Sequence, residues 1–549
     1  MNRFCLIIIF TGFFQAYCQT DSTANLSEEL SGVFVIQKGK EIVLPLVEKK
    51  FVASKFKPLE SDPINIPIGV QEPVFDWPKN TDPFLYGPIS IPLTSTHFSN
   101  YMGLAYGNYG SPQIQLQLNE QVADWEIQNS TFIENFRRGP VEGRNSSNGR
   151  TAIALSGIYK QQQNTLIPFV TFNRSTYRFY GNTFDTDFNI DETLPRVGWS
   201  HLKLGGSWDA QIGKAKYFLK PSLGSTYQNV EDSGNLNREN EIALQGHLNL
   251  DWTEEWNFGL DLETFGSKYH GNLQYSRSLL QAIPWIKYEK DQYSIKLGIV
   301  ASRSNTLQTE RGIYPKIEGI VKLQDDWLVD GTIEGGYQLE SLNSLLTRNE
   351  FLSDSLAIQN IENKIRMSLG VNGTPYEGWS FRGNLSYARI NYLPLFVPSL
   401  RDSSRYQIIF YNGFTGLLRL STTLAYTPSV SSSYQLVLEL NNYRTSNSQI
   451  KPWHLPDVVI KAFATHQFTS ELSMTGQLLL QGGIDAPLSD GSERTLPVFA
   501  DVSLEVNYRI DERWGAFCQI ENLFNQEYER YLGYPVRGAT FKVGASYRF

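Results

Sequence analysis

The last nine residues of the chain alternate between apolar and polar or small side chains. Phe541, Val543, Ala545, Tyr547 and Phe549 fall on one face of an extended strand, because successive side chains of a strand point to opposite faces. A strand that meets lipid with one row and a watery lumen with the other has this pattern, here ending in a carboxy-terminal aromatic residue. The edge strand of a soluble sandwich also alternates, so this segment alone leaves both folds open.

The N-terminus predicts that the chain is secreted. Arg3 precedes a largely apolar run over residues 4–14, and Ala16 and Cys18 occupy the two positions at which a signal peptidase reads small residues. We therefore predict a signal peptide over residues 1–18, because the apolar run is shorter than the about 20 residues that a membrane-spanning helix needs. Lipidation of Cys18 is the alternative, but the residues before it lack the expected leucine and small residue.

The composition favours a membrane protein that crosses the bilayer with strands. The chain has 32 Phe, 29 Tyr and 11 Trp, yet its mean hydropathy is −0.31, and no segment after the signal peptide is long and apolar enough for a membrane helix. Only helices and closed barrels satisfy every backbone group within lipid, and only a barrel hides its hydrophobicity by alternation.

The residues that usually carry chemistry are few and scattered. Removal of the signal peptide leaves Cys518 as the single cysteine, so no internal disulfide can form, and the six histidines form no spaced cluster. The formal net charge of −8 argues against a nucleic-acid partner. We therefore expect no enzymatic activity, no metal, no cofactor and no nucleic acid.

The alternation of the final strand recurs from about residue 98 to the end of the chain. Residues 113–118, 293–300 and 502–508 are typical, and a period of two residues dominates over the helical period of 3.6. Counting these segments predicts a transmembrane antiparallel up-and-down β-barrel of about 22 strands over residues 98–549. The fold class is therefore all-β.

The connections between these segments alternate in length, as in an up-and-down barrel. Tight joints, several with a Trp or Tyr suited to the membrane boundary, are predicted as periplasmic turns at residues 251–256, 290–291, 324–327, 375–379 and 510–514. Longer polar stretches are predicted as extracellular loops at residues 136–150, 182–198, 230–241, 340–363, 392–405, 441–456 and 484–497.

The C-terminal segment carries a set of motifs at fixed positions: N-L-F-N, a tyrosine, G-Y-P, a glycine and a terminal aromatic strand. Their residues are Asn522, Leu523, Phe524, Asn525, Tyr528, Gly533, Tyr534, Pro535, Gly538, Phe541, Tyr547 and Phe549. This segment resembles the closing segment of TonB-dependent outer-membrane receptors of the Bacteroidetes type, except that Ala539 stands where those receptors usually have arginine. The resemblance implies a cell outer-membrane location, contact with outer-membrane lipid and with the barrel assembly machinery, and solute uptake.

The N-terminal segment departs from that family. Fewer than 80 residues separate the signal peptide from the barrel, whereas these receptors fill their wide barrel with a plug of about 150 residues. We therefore expect a plugless barrel without direct TonB contact. Residues 19–97 are predicted to form a Pro-punctuated periplasmic or lumen-entering segment, since dense proline disfavours helix and sheet, and a disordered linker is the alternative.

One cluster of basic residues is a candidate ligand site. Arg137, Arg138, Arg144 and Arg150 lie in or beside a predicted extracellular loop, and guanidinium groups bind phosphate and carboxylate bidentately. Lipopolysaccharide phosphates, or simple pairing with neighbouring glutamates, would use the same residues.

Three functions remain open from the sequence. The first is solute uptake by a receptor-like barrel whose lumen is blocked by loops, by the N-terminal segment or by another protein. The second is a passive porin-like channel, and the third is a barrel that holds a periplasmic or surface partner protein without transport.

Overall fold

The computed structural model describes residues 100–141, 146–181, 194–231, 234–324, 327–354, 356–400, 402, 404–429, 431–488 and 491–549. The predicted signal peptide and the predicted N-terminal segment therefore lie outside the described residues, as does Arg144. The signal peptide, the N-terminal segment and the ligand role of Arg144 therefore stay predictions.

The described chain is built almost entirely from antiparallel strands. The first nine are β1 (Tyr101–Gly107), β2 (Ser111–Val122), β3 (Trp125–Phe136), β4 (Asn148–Gln161), β5 (Asn164–Tyr177), β6 (Val197–Ile212), β7 (Ala215–Val230), β8 (Gly234–Asp251) and β9 (Trp256–His270). The next nine are β10 (Gln274–Lys290), β11 (Tyr293–Asn305), β12 (Thr309–Gln324), β13 (Trp327–Gln338), β14 (Ile361–Gly373), β15 (Trp379–Pro398), β16 (Tyr406–Ser429), β17 (Ser432–Thr445) and β18 (Val458–Gln467). The last eight are β19 (Leu472–Gly482), β20 (Ile484–Pro487), β21 (Glu493–Leu496), β22 (Phe499–Arg509), β23 (Trp514–Glu521), β24 (Glu529–Tyr531), β25 (Tyr534–Pro535) and β26 (Thr540–Arg548).

Twenty-two of these strands close into one barrel. Each pairs with the next strand along the chain, apart from the small hairpins β20–β21 and β24–β25, which lie in loops. The last strand, β26, pairs with β1 from Tyr101 opposite Arg548 to Gly107 opposite Lys542, so the sheet has no free edge. The predicted all-β antiparallel barrel of about 22 strands is confirmed.

Side chains alternate across the wall as the sequence predicts. On β11, Tyr293, Ile295, Leu297 and Ile299 are 40–54% exposed on the outer face, while Ser302 belongs to the buried inner row. On β26 the outward residues are apolar, whereas Lys542 is 1% exposed inside the barrel. The exposed apolar rows form the outer surface that a membrane barrel presents to lipid.

One end of the barrel, here called the turn end, carries tight connections and an aromatic girdle. The described turns there include residues 252–255, 291–292, 374–378 and 510–513, as predicted. Aromatic side chains pair across neighbouring strands at this end, and the ring centroids of Trp379 and Tyr426 are 4.4 Å apart. Trp514 and Tyr547 repeat the arrangement at 4.8 Å. Amphipathic rings at such a level suit a membrane boundary.

The opposite end, here called the loop end, carries the long connections, but two predicted loops are partly wrong. The predicted loop at residues 392–405 starts later, because β15 runs to Pro398. Residues 230–241 were also expected to be an extracellular loop, whereas β7 runs to Val230 and β8 begins at Gly234 and continues through the rest of this range. Beyond the bilayer a strand has no lipid on its outer face, so its side chains need not alternate. The polar sequence therefore resembled a loop although its backbone pairs.

Besides a short 3-10 helix at Asn108–Gly110, the described chain has an α-helix at the loop end. It is α1 (Leu342–Arg348), within the connection between β13 and β14. Within the ranges described, no helix has the length and apolarity to cross a membrane. The largest buried apolar cluster surrounds α1 and includes side chains from β5, β6, β9 and β16. The core of this protein is therefore concentrated at the mouth of the barrel.

Candidate functional site

The connection between β13 and β14, residues 339–360, is here called the mouth loop. Its helix α1 begins with a capping box, in which the Ser344 backbone N–H donates to Ser341 Oγ at 3.1 Å and the Ser341 N–H donates to Ser344 Oγ at 2.9 Å. The helix buries Leu342, Leu345 and Leu346 almost completely. A helix this short gains most of its stability from such packing.

A buried ion pair of the barrel wall anchors the start of α1. Glu239 on β8 pairs with Arg277 on β10, and both side chains are fully buried. The Leu342 backbone N–H donates to Glu239 Oε2 at 2.6 Å, and Arg277 donates to the Glu340 carbonyl at 2.7 Å. The pair thereby satisfies an orphan N–H of the helix start and holds the loop against β8 and β10.

The second half of the mouth loop crosses to the far side of the barrel. Leu352 forms a β-bridge with Tyr406 at the start of β16, while its carbonyl accepts a hydrogen bond of 3.0 Å from Gln228 on β7. Ser175 on β5 donates to Glu350 at 2.6 Å. Strands as far apart as β5, β7, β10 and β16 therefore all hold this one loop. It spans the mouth of the barrel.

The receptor-like C-terminal motif folds a second inward loop, residues 522–539, here called the C-terminal loop. Asn522 and Asn525 have positive φ angles of 48° and 50°, a region that asparagine tolerates better than most residues. Asn522 Nδ2 donates to the carbonyls of Gln526 and Arg537 at 2.9 and 2.8 Å, so it closes the loop on itself. The N-L-F-N motif thus has a structural role.

The tyrosines of the C-terminal loop join it to the mouth loop and to the wall. Tyr531 donates to the Arg348 carbonyl at 2.7 Å, and the Tyr534 ring stacks on Phe351. Tyr528 stacks on Phe499 with ring centroids 3.9 Å apart and donates to Asp501 at 2.7 Å. These contacts make the two loops one continuous cover.

A cavity of about 480 Å³, here called the mouth cavity, lies between the two loops and strands β3 to β6. A volume of this size matches small-molecule sites, which combine apolar and aromatic walls with a few polar groups. The aromatic lining residues are Phe132, Tyr177, Tyr180, Trp199, Phe351, Tyr528, Tyr531 and Tyr534. The charged lining residues are Arg150, Arg174, Glu350, Asp501, Glu521, Arg530 and Arg537.

The charged groups of the cavity that belong to the loops are strongly affected by burial. Burial raises the pKa of the Glu350 carboxyl, while the charge of Arg150 and the hydrogen bond from Ser175 act in the opposite direction. Burial also lowers the pKa of the Arg537 guanidinium, against the effect of nearby carboxylates. Arg537 donates to Asn148 Oδ1 at 2.6 Å and lies 3.5 Å over the Phe136 ring. Ionisable groups in such an environment are typical of binding sites.

The structure separates the arginines that the sequence grouped. Arg150 points into the barrel and lines the mouth cavity, whereas Arg137 and Arg138 are exposed and do not line it. The backbone N–H groups of both exposed arginines donate to the Tyr109 carbonyl at 3.1 Å. A ligand role for this cluster stays a prediction, and the geometry favours Arg150 for it.

Several motif residues line the cavity, although the sequence offered them only as family markers. Asn522, Tyr528, Tyr534, Pro535 and Gly538 are among its lining residues. Leu523 and Phe524 are exposed instead, and Gly533 makes the turn of the β24–β25 hairpin with φ +82°. The mouth loop was predicted as an extracellular loop, but no sequence signal indicated that it folds inward.

The role of Asn522 can be measured. Asn522→Ala is expected to lower the free energy of unfolding by about 2–4 kcal/mol, because alanine strains the positive φ and leaves two partly buried carbonyls without their donor. Asn522→Gly is the matched control, since it keeps the backbone conformation without strain and is expected to cost about 1 kcal/mol less. Urea unfolding of the detergent-solubilised protein compares the two. Equal stability of both variants and the parent would contradict this role.

Comparison with known proteins finds no matching protein family and no matching curated protein at the sequence level. Solved structures do match. The FrpB iron transporter from Neisseria meningitidis (F3-3 variant) aligns over 83% of this chain and 82% of its own, with a TM-score of 0.65 and 9% identity. The barrel has the fold of TonB-dependent receptors.

Two further receptors support the same likeness. The ferric-catecholate import receptor Fiu from E. coli K12 covers 82% of either chain with a TM-score of 0.60 and 10% identity. The siderophore receptor PiuA from Acinetobacter baumannii covers 82% of either chain with a TM-score of 0.60 and 7% identity. The receptor-like barrel inferred from the C-terminal motif is thereby confirmed as a fold, and the matched proteins are named as transporters and receptors.

Proposed function

We propose that this chain is an outer-membrane, receptor-like barrel that binds a small solute in the mouth cavity and takes it up through the lumen. The observation that carries the proposal is a cavity of about 480 Å³, rich in aromatic and charged side chains, beneath loops that cover the loop end. The fold is the one that named iron and ferric-catecholate transporters use. An aromatic wall with inward arginines suits a solute that has flat faces and acidic or polar groups.

We include in this proposal residues 1–97, which lie outside the described part of the chain. A signal peptide over residues 1–18 would deliver the chain to the periplasm, and residues 19–97 would form a periplasmic or lumen-entering segment in place of a full plug. The passive porin-like alternative is less favoured, because the mouth loop is held by four widely separated strands. A porin would leave this end of its lumen open.

The experiment is a binding measurement on the full mature chain with a fixed panel of probes: a ferric catecholate, ferric citrate, Cu²⁺ and a neutral oligosaccharide. The double variant Arg150→Gln with Arg537→Gln is expected to weaken binding of the acidic probe at least about tenfold, since two guanidinium contacts are lost. The matched control is Arg137→Gln with Arg138→Gln, which removes the same charge outside the cavity and is expected to change little.

The same measurements also distinguish solute uptake from the third function, a barrel that holds a partner protein. Equal loss in the two double variants would place the ligand outside the mouth cavity. Failure of every probe to bind, together with isolation of a stable complex with another protein that survives both variants, would favour the partner-holding barrel over uptake.

A further inference from the structure

Three strands of the barrel repeat one spacing on their outer face. Tyr293 and Arg303 on β11, Trp379 and Arg389 on β15, and Tyr434 and Arg444 on β17 are each ten residues apart. An even separation puts both residues of a pair on one face, and ten residues span about 33 Å along a strand. At the usual strand tilt this rise is about 25 Å, the height of the apolar band of a membrane barrel.

The aromatic member of each pair lies at the turn end, where the girdle of rings marks one membrane boundary. The arginine therefore lies at the level of the opposite boundary. Three further basic residues occupy the outer face at the loop end of neighbouring strands, and we call the set the cationic belt. Its members are Arg238, Lys268, Arg303, Arg311, Arg389 and Arg444.

The belt brings positive charges close together, and no carboxylate of the described strands lies between them on the outer face. Arg303 and Arg311 are directly opposite each other in the β11–β12 register, an arrangement that destabilises a sheet unless an anion lies between the two charges. The carboxylates near the loop end of β8 to β17 in the described chain belong to inward rows. They are Glu239, Glu241, Glu310 and Glu362.

Lys364 on β14, which lies beside the belt and is not a member of it, pairs with the inward Glu362 at 2.5 Å. Arg389 lies 4.1 Å over the Phe414 ring, and no carboxylate of the described residues pairs with Arg389 or Arg444.

The arginines of β15 and β17 lie on either side of a glycine of β16. Arg389 is opposite Gly416 on β16, and Gly416 is opposite Arg444, so one row runs arginine, glycine, arginine. The two arginines are two strands apart, about 10 Å, and Gly416 adds no side chain of its own between them, although the Tyr387 ring packs beside it. A polar cleft lies beside this row, lined by Lys364, Arg389, Asn391, Asn412, Phe414 and Ser446.

We propose that the cationic belt binds the phosphate groups of an anionic glycolipid in the leaflet at the loop end, with the Arg389–Gly416–Arg444 row as its main site. Arginine binds phosphate bidentately, and exposed side chains below the row would contact the acyl chains: Tyr387 and Leu418 directly below it, and Leu385 one row further. An acidic partner protein would meet the charges but would not require an apolar surface directly beneath them. This site is separate from the mouth cavity and independent of the solute.

The test measures lipid binding to the full mature protein in neutral detergent. The probes are diphosphorylated lipid A, the same lipid after enzymatic dephosphorylation, and inorganic phosphate. The double variant Arg389→Gln with Arg444→Gln is expected to weaken lipid A binding about thirtyfold, from about fivefold for each basic residue at an anionic surface. The control is Lys214→Gln with Lys290→Gln, which removes the same charge at the turn end and is expected to change binding less than about twofold.

A second variant keeps the proposal testable if the first one fails to fold. Arg311→Gln is expected to raise the melting temperature in neutral detergent, because it removes a like-charge contact, and to reduce the further rise that lipid A gives to the parent protein. Equal affinity for the dephosphorylated lipid, equal loss in the control variant, or binding of inorganic phosphate as tight as lipid A would each overturn the proposal.

Discussion

A barrel without its mouth loop is expected to conduct ions continuously. Gln338 and Ile361 are partners in the β13–β14 register, so a four-residue Gly-Ser linker can replace residues 339–360 without distorting the wall. Removing the loop also removes α1, its buried leucines and the cover that the C-terminal loop packs against. In planar bilayers, the variant is expected to give a stable current at least about tenfold above that of the full mature chain, because a 22-strand lumen is wide.

The companion measurement deletes residues 19–92 and leaves the mouth loop in place. We expect this deletion alone to leave the barrel closed at the loop end. A large current from that deletion alone would instead identify the N-terminal segment as the element that closes the lumen. A full mature chain that already conducts as freely as the loop variant would indicate a porin.

The second large effect is expected at the buried ion pair that anchors α1. Arg277→Met leaves the Glu239 carboxylate buried without its positive partner, which is expected to cost about 3–5 kcal/mol. The double variant Glu239→Gln with Arg277→Met is expected to recover part of this stability, since no charge then remains buried without its partner. Arg382→Met is the matched control, because Arg382 is exposed near the turn end.

Cleavage by trypsin shows which part of the protein opens when stability is lost in Arg277→Met. Arg348 is 6% exposed at the end of α1, so cleavage after it requires the mouth loop to leave the wall. We expect rapid cleavage at this site in Arg277→Met, slower cleavage in the double variant and parent-like protection in Arg382→Met. If Arg277→Met were protected as well as the parent, the ion pair would not anchor the loop.

The two loops also explain why a wide barrel can be covered without a plug in the part of the chain that the structure describes. The mouth loop brings an apolar helix, and the C-terminal loop brings three tyrosines that pack against it or line the same cavity. Their contacts involve strands on both sides of the mouth. A solute that binds between the loops would therefore contact the same groups that hold the cover in place, which gives binding a direct way to alter the cover.

The sequence by itself determined the barrel. A period of two residues, tight turns with Trp or Tyr, and the terminal row from Phe541 to Phe549 are local signals, because each strand must match lipid on one face whatever its neighbours do. The same local signal failed at residues 230–241, where the strands continue beyond lipid and need no alternation. The C-terminal motif identified the fold of the barrel but not the role of its residues.

The tertiary structure alone decided the site. Arg150 and Arg537 are far apart in the sequence and meet at one cavity only because β26 closes the barrel next to β1. Glu239, Arg277 and α1 come together because one loop folds inward across many strands. Such contacts leave no periodic trace in the chain, because a buried ion pair or a loop helix depends on partners that only the closed barrel brings into reach.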